Sequence, residues 1–200
     1  MSVPSAEQRK HLIERILGSV DPRLSDSLRE EFARLAPGTP PPASKTIVIG
    51  GHRAAGKTRL LPLVSALTGR PGMDLDVELE KRSGRSLRDW VVTDTDGFRR
   101  AERDLFLSLP AGGLVAVGGG FLSHHPEALR DCHILLVPIT FETYRERLLK
   151  DTRRPRLSPG VSLEEELSAI YQQRELLHAR VPTVGIAAFL RAFADPENPR

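Results

Sequence analysis

The chain of 200 residues has little cysteine, few aromatic residues and no long apolar run. Its single cysteine, Cys132, excludes an intramolecular disulfide and a cysteine metal cluster. No apolar run approaches the roughly 20 residues that a membrane-spanning helix needs. The polar start, Ser2 to Lys10, lacks the apolar segment of a signal peptide. We therefore expect a cytoplasmic protein that does not bind a membrane.

The chain also lacks a large excess of charge of one sign. Its 29 basic residues are interleaved with 26 acidic ones, which gives a net charge of +3, and only 5% of the residues are aromatic. This pattern argues against a nucleic-acid partner. A small anionic ligand fits better, because arginines concentrate in two segments. These are Arg99, Arg100 and Arg103, and Arg153, Arg154 and Arg156.

Three stretches of different composition divide the chain. Residues 1–36 read as a helical N-terminal extension, with amphipathic helices predicted over Ala6 to Leu17 and Arg23 to Leu35. Residues 37–44 form a Pro-rich linker, which cannot continue a helix. Residues 45–200 alternate short apolar runs with helical periodicity. That alternation predicts an α/β domain with a central parallel β-sheet flanked by helices.

The most specific motif lies between the first apolar run, Thr46 to Ile49, and the next helix. It reads GHRAAGKT, which matches GxxxxGKT in the strand-to-helix context of a P-loop. Backbone N–H groups and the helix N-terminus would face phosphates, Lys57 would add positive charge, and the Thr58 hydroxyl would bind Mg²⁺. We expect a nucleotide to contact all eight residues: Gly51, His52, Arg53, Ala54, Ala55, Gly56, Lys57 and Thr58.

Two carboxylates follow in the run Asp74-Leu75-Asp76. If Met73 to Asp76 is a strand, alternation places both on one side, where one could hold Mg²⁺ and the other orient or deprotonate a hydroxyl. The alternative is that Asp76 only caps the predicted helix Val77 to Arg82. The residues alone leave both interpretations open.

Three further segments carry polar or glycine-rich patterns. Arg99 and Glu102 are three residues apart on a predicted helix, so Arg99 either grips a substrate carboxylate or belongs to a solvated, salt-bridged face. Gly118 to Gly120 follow a strand and would let the backbone approach a ligand closely. The connection Asp151 to Gly160, DTRRPRLSPG, has the composition of a phosphate-covering lid or of an arginine-rich surface loop.

Taken in order, these segments resemble the shikimate kinase family. The chain shows GHRAAGKT, DLD, FRRAE, VGGGFL, RRPRL and RELLH at compatible spacings, over roughly Lys45 to Pro182. The resemblance implies a three-layer P-loop kinase fold. It also implies ATP-dependent phosphorylation of the 3-hydroxyl of shikimate to 3-phosphoshikimate, in aromatic amino acid biosynthesis, with ATP and Mg²⁺ as cofactors. We expect a monomer whose partner is this small molecule.

On the phosphate side, the resemblance implies roles for four residues. Lys57 is expected to be catalytic and, with Thr58, to handle phosphate and Mg²⁺. Asp74 would reach the metal through water. Arg154 would be the catalytic lid arginine that contacts the nucleotide and neutralises the transferring phosphoryl group.

On the acceptor side, the resemblance implies five more. Asp76 would bind the substrate hydroxyls and act as base, and Arg99 and Arg174 would clamp the carboxylate. Gly119 and Gly120 would contact the ring hydroxyls through backbone N–H groups.

The chain departs from the family's pattern at several positions. Ala54 stands where a third P-loop glycine is usual, Pro62 lies inside the following helix, and His178 stands where a tyrosine is common. Two alternatives therefore stay open. One is a ligand-sensing domain of the same fold, which would bind an effector of the acyl-CoA type; the other is another small-metabolite kinase, such as a gluconate kinase.

Overall fold

The computed structural model describes residues 4–151 and 160–195, and the described residues include five parallel strands with helices on both faces of the sheet. The strands are β1 (Ile47–Gly50), β2 (Gly72–Asp74), β3 (Leu114–Ala116), β4 (His133–Leu136) and β5 (Thr183–Gly185). The helices are α1 (Ala6–Leu17), α2 (Ser25–Arg34), α3 (Lys57–Thr68), α4 (Leu75–Ser83), α5 (Leu87–Thr93), α6 (Thr95–Leu107), α7 (Phe121–His124), α8 (Phe141–Lys150), α9 (Leu163–His178) and α10 (Ile186–Ala194), with a 3-10 turn over Pro126–Leu129. The predicted α/β class with a parallel sheet is confirmed.

The strand order β2-β3-β1-β4-β5 places β1 at the centre of the sheet. Val48 of β1 is in register with Val115 on one side and Ile134 on the other. Every residue of β1 is buried, as expected for a strand covered on both faces. The carboxyl end of this central strand leads directly into the P-loop, so the motif lies where parallel sheets bind their ligands.

Alternation along β1 divides the core into two clusters. Ile47 and Ile49 face a cluster that also contains the apolar sides of α1, α3 and α10. Val48 faces the opposite cluster, which includes Trp90, Phe98 and residues of α4 and α6. Both clusters pack against the sheet, which fixes the strand ends that carry the site.

The N-terminal helices pack on the sheet domain. α1 has the predicted bounds, whereas α2 is shorter than the predicted Arg23 to Leu35. Ile13, Ile16 and Leu17 are at most 3% exposed and join the cluster that contains α3 and α10. The division of the chain at residues 36 and 44 stays a prediction, but these two helices share one apolar core with the residues after it.

The structure corrects the prediction for the DLD segment. β2 ends at Asp74, and helix α4 begins at Leu75, so Asp76 lies in the first turn of a helix. Asp74, not Asp76, caps that helix by accepting hydrogen bonds from the backbone N–H groups of Asp76 and Val77. Strand alternation was therefore the wrong reason to place the two carboxylates together.

Other elements carried no clear sequence signal. The short helices α5 and α7 and the final pair β5 and α10 were not predicted, since a three-residue strand gives too few positions to show a period. Across residues 4–151 and 160–195, no helix combines the length and apolar character needed to cross a bilayer.

Candidate active site

The P-loop forms the turn between β1 and α3. Gly51 and Gly56 have φ angles of 135° and 92°, in the region that glycine adopts without a steric cost. Gly56 precedes the first helical residue, Lys57, so the backbone reverses and the first N–H groups of α3 face the loop. This is the geometry that binds phosphate at a helix N-terminus.

Ala54 keeps the turn although it carries a β-carbon. Its φ of 60° is left-handed, and it is the one non-glycine residue with positive φ among the described positions. A left-handed residue other than glycine costs roughly 1–2 kcal/mol. The Ala54 carbonyl accepts a 2.7 Å hydrogen bond from Arg147 Nη1 of α8, which ties the strained position to the rest of the fold.

The Lys57 ammonium lies over the loop. It donates to the carbonyls of Gly51 at 3.0 Å and His52 at 2.6 Å, and the side chain is buried. The His52 ring, in contrast, packs behind the loop, where it stacks on Tyr171 at 4.3 Å between ring centroids. Its Nε2 lies 2.6 Å from Glu175 Oε1. Burial, with Arg174 and Lys57 nearby, lowers the pKa of His52 to about 3, so the ring is neutral.

Thr58 and Asp74 place two oxygen atoms side by side at the start of α3. Thr58 Oγ1 donates a 2.8 Å hydrogen bond to Asp74 Oδ2, while Asp74 Oδ1 caps α4. The capping bonds fix the carboxylate, because each of its oxygens has a partner. The pair thus forms a preorganised oxygen site beside Lys57.

Asp76 lines the same cavity as Thr58 and Asp74, and its pKa is perturbed. Burial, followed by the negative charges of Glu102 and Asp74, raises the pKa of Asp76 to about 6, although Lys57 and Arg99 oppose the shift. A β-carbon built on Gly118 would lie 3.0 Å from both Asp76 Oδ1 and Glu102 Oε1, so the two carboxylates flank that glycine. A carboxylate with a pKa near 6 is suited to accept a proton at neutral pH.

Arg99 and Glu102 form the ion pair that their spacing predicts. Arg99 Nη1 lies 2.9 Å from Glu102 Oε2, and the Glu102 side chain is only 1% exposed. His125 Nε2 lies 3.4 Å from the same Glu102 oxygen. Because Glu102 is buried and paired, it holds the Arg99 guanidinium at the cavity wall, which is not the behaviour of a solvated surface pair.

Arg174 is a second guanidinium at this cavity. The residue is 7% exposed, and its Nη1 has no hydrogen-bond partner among the described residues. Burial lowers the pKa of Arg174 to about 10, so it remains charged at neutral pH. A buried cation with an unused donor is costly to maintain and favours an anionic ligand.

The glycine run Gly118 to Gly120 forms the floor between these groups. A β-carbon at Gly119 would lie 2.6 Å from Arg53 Cγ and 2.7 Å from the Arg53 backbone nitrogen. Only glycine therefore permits this contact between the run and the P-loop. Gly120 lies beside Arg99, whose Nη2 would be 3.0 Å from a β-carbon there.

One cavity of about 640 Å³ brings most of the predicted site residues together. Its lining includes eleven of them, together with Gly118: Arg53, Ala54, Gly56, Lys57, Thr58, Asp74, Asp76, Arg99, Gly119, Gly120 and Arg174. Three predicted loop residues, Gly51, His52 and Ala55, do not line it within the described part of the chain. Arg154 lies outside the described residues.

Sequence reasoning missed several lining residues. Glu102 was recognised only as a partner of Arg99, and Arg147 of α8 and Arg88 of α5 were not singled out. The position of Arg147, seven residues before Arg154, carries no local signal of its own. Its role becomes visible only through the hydrogen bond to Ala54.

Comparisons with known proteins agree with this geometry. A family model described as shikimate kinase matches residues 53–189. This chain belongs to the shikimate kinase family. A shikimate kinase of Syntrophus aciditrophicus (strain SB) is 31% identical over 155 residues, which cover 72% of this chain and 80% of that protein. A shikimate kinase of Thermobifida fusca (strain YX) is 28% identical, covering 70% of this chain and 83% of that protein.

Solved structures of shikimate kinases have the same fold. Shikimate kinase from Acinetobacter baumannii, in complex with shikimate, matches with a TM-score of 0.61 and 25% identity over 74% of this chain and 88% of that chain. Shikimate kinase from Aquifex aeolicus vf5 gives a TM-score of 0.58 at 24% identity, over 75% of this chain and 92% of that chain. The predicted P-loop kinase fold and family are confirmed.

Proposed function

We propose that this shikimate kinase family member transfers the γ-phosphoryl group of ATP to the 3-hydroxyl of shikimate, giving 3-phosphoshikimate and ADP. The supporting observation is a single cavity in which a P-loop lysine, a half-buried carboxylate with a raised pKa, and two arginines converge. A kinase for a hydroxylated acid needs these parts together, because phosphoryl transfer depends mainly on positioning and charge. The family assignment of the chain favours shikimate as that acid.

The nucleotide side of the cavity is the P-loop. The phosphates would contact the backbone amides between Gly51 and Thr58, and Lys57 would exchange its carbonyl partners for phosphate oxygens. Arg147, fixed against Ala54, lines the same side and would add positive charge. Arg154 is proposed as the lid arginine from its motif position alone.

The residues present fit a Mg²⁺ ion at Thr58 and Asp74. The Thr58 hydroxyl and the Asp74 carboxylate are hydrogen-bonded at 2.8 Å, so two oxygen groups of the kind that Mg²⁺ prefers, directly or through water, lie side by side. We propose Thr58 as a direct ligand and Asp74 as a ligand through water. When bound, the ion would neutralise charge on the phosphate oxygens.

The acceptor side holds the carboxylate of the substrate between Arg99 and Arg174. Arg174 has an unused donor, and Arg99 is held by the buried Glu102. Backbone N–H groups of Gly119 and Gly120 would donate to ring hydroxyls. Two guanidinium groups give charge-assisted hydrogen bonds that select an acid over a neutral polyol.

Asp76 is proposed as the base. As the 3-hydroxyl oxygen bonds to the γ-phosphorus, the hydroxyl proton passes to the Asp76 carboxylate and the bond to the β,γ-bridging oxygen breaks, so that ADP leaves. At pH 7 to 8 this carboxylate, with a pKa of about 6, is mainly ionised and able to accept the proton.

The direct test measures ADP release with Mg²⁺-ATP against shikimate, quinate and gluconate in parallel. We expect turnover with shikimate that exceeds turnover with the other acids by at least about 100-fold, and no turnover in Lys57→Met, which lacks the P-loop charge. Turnover with gluconate instead would indicate the other kinase. Binding of nucleotide without any ADP release would indicate a sensing domain.

We also propose that the protein is a cytoplasmic monomer that binds neither nucleic acid nor membrane. Its support is that one chain supplies both sides of the cavity. The balanced charge of the sequence agrees with this proposal.

A further inference from the structure

A cluster of three side chains behind the P-loop is not used by the proposed reaction. His52 of the loop, and Glu175 and His178 of α9, each place one possible metal-ligand atom within 4.8 Å of the other two. Glu175 and His178 are three residues apart and lie on the same face of the helix. The cluster therefore joins the central loop to the last long helix.

The two imidazoles have unused ring nitrogens. His178 is 3% exposed, and neither of its ring nitrogens has a hydrogen-bond partner in residues 4–151 and 160–195. His52 is equally buried and contacts Glu175 through Nε2, while its Nδ1 also lacks a partner there. Buried polar atoms are almost always satisfied in folded proteins, so two such rings side by side indicate a missing ligand.

The cluster is open to an ion from one side. The Glu175 side chain is 55% exposed. A second cavity of about 440 Å³ is lined by Glu175, His178, Leu136, Val181 and Pro182, among others. An ion can enter along the carboxylate, and water from this cavity can complete its coordination.

We propose that His52, Glu175 and His178 bind a divalent first-row transition metal of the Zn²⁺ type, at a site separate from the Mg²⁺ of phosphoryl transfer. Two imidazoles and one carboxylate form a donor set that suits zinc, which is commonly held by three protein ligands with a fourth position open. Mg²⁺ prefers oxygen ligands and does not compete well for such a set.

The required rearrangement is small. Zinc bonds of 2.0–2.1 Å in a tetrahedral site separate the ligand atoms by roughly 3.3 Å. The 2.6 Å contact between His52 and Glu175 would open by less than 1 Å, and His178 would move toward it. The metal would replace the hydrogen bond that joins His52 to Glu175.

Charge makes Glu175 the most informative ligand. The positive charges of Lys57 and Arg174 act on His52, so they would repel a cation here unless the Glu175 carboxylate compensates. The backbone of His52 accepts a hydrogen bond from Lys57, and Arg174 directly precedes Glu175. A bound metal would therefore tie the P-loop to the helix that carries the second arginine.

The test is calorimetric titration of the full chain with Zn²⁺ in excess Mg²⁺ and ADP, which saturate the Thr58 and Asp74 site. We expect one equivalent of Zn²⁺ per chain and a higher midpoint of thermal unfolding with zinc than without. Replacement of Zn²⁺ by Co²⁺ should give the visible absorption of a four- or five-coordinate ion with nitrogen ligands.

Matched variants assign the ligands. Glu175→Gln changes an exposed residue and should keep the fold, and we expect it and His178→Gln to weaken zinc binding by more than about 100-fold, since losing even an outer partner costs 10–100-fold. His11→Gln alters an exposed histidine on α1 and should bind zinc like the parent. Absence of zinc binding by the parent, or equal affinity in Glu175→Gln and His11→Gln, overturns the proposal, whatever the kinase assay shows.

Discussion

Arg174 of α9 is a buried cation, and its Nη1 has no hydrogen-bond partner within the described residues. Arg174→Met removes the charge but keeps an apolar stem. We expect the KM for shikimate to rise roughly 10- to 100-fold, since a charge-assisted hydrogen bond contributes about 1.5–3 kcal/mol, with a change of less than about 3-fold in the KM for ATP. Steady-state kinetics with each substrate varied in turn gives both constants.

An exposed arginine on another helix provides the control for this prediction. Arg100 is exposed on α6, one residue after Arg99, so Arg100→Met should leave both KM values unchanged. Equal increases in the KM for ATP and for shikimate in Arg174→Met would place Arg174 outside the acceptor site. Stability should not fall, because the variant no longer buries a charge.

Asp76 links function to stability through its pKa. Burial and neighbouring carboxylates raise the pKa from 3.8 to about 6, so the folded protein holds this proton more tightly than the unfolded chain does. The contribution of Asp76 to the free energy of unfolding is therefore greatest below about pH 4, and it is lost as the pH rises to 6. At pH 8, Asp76→Asn should be more stable by about 2 kcal/mol, a value reduced from the full shift because the half-buried carboxyl is partly screened.

The measurement pairs urea unfolding at pH 8 and pH 4.5 with the pH profile of kcat/KM. The gain of Asp76→Asn should shrink at pH 4.5, and kcat should fall by about 100-fold or more because the base is absent. The parent's kcat/KM should decline below about pH 6. A variant that is less stable than the parent at pH 8 would contradict this account of the carboxyl.

Individual residues show which parts of the site could be predicted from the sequence. Lys57 and Thr58 were predictable because a P-loop is local: the strand, the glycines and the helix start are consecutive. The left-handed φ of Ala54 was not, because alanine normally avoids it and the compensating Arg147 lies far along the chain. The role of Glu102 depends on burial, which no spacing rule reports.

At the scale of elements, the connection between α1 and α2 docks on α8 through one fully buried carboxylate. Asp21 Oδ2 accepts hydrogen bonds from the Thr140 N–H and hydroxyl, each 2.7 Å, and Oδ1 accepts from the Thr143 hydroxyl at 2.7 Å and the Arg23 N–H at 3.0 Å. Burial alone would raise the pKa of Asp21, but these hydrogen bonds lower it below 3.8.

Asp21→Asn should destabilise the fold by about 2–3 kcal/mol at pH 7, because an amide NH₂ would face donors in a buried site. Since the folded pKa is lowered, the contribution of Asp21 is present above about pH 4 and is lost as the pH falls through the folded value. Urea unfolding at pH 7 and pH 3.5 measures this, and the difference between parent and variant should be smaller at the lower pH.

Asp26→Asn is the matched control on α2, where the side chain is fully exposed, and it should leave stability within about 0.5 kcal/mol of the parent. If Asp21→Asn loses no more stability than this control, the connection between α1 and α2 is not held by the Asp21 carboxylate. The comparison separates docking from a general effect of lost charge.

Element prediction succeeded where length and period were sufficient. α1 has the predicted bounds, since it shows more than two turns with an apolar stripe. β2 was extended too far because Asp74 ends the strand by capping α4, and the sequence DLD reads equally well as either state. β5 is three residues long and was not predicted.

For the whole molecule, the alternation of strands and helices was enough to predict a central parallel sheet flanked by helices. It did not predict where the first two helices would lie. Their position depends on contacts between residues far apart in the chain, such as α1 with α10, which local patterns do not encode. The metal-ligand cluster depends on tertiary packing in the same way, since His52 and His178 are 126 positions apart.

The packing of α1 against α10 has a consequence for folding during synthesis. Ile16 and Leu17 leave the ribosome long before Phe189 and Leu190, with which they share one core. Until α10 emerges, the nascent chain must hold the apolar stripe of α1 without its final cover. We therefore expect ribosome-bound chains that stop before α10 to be sensitive to protease within α1, and released chains that include α10 to be resistant.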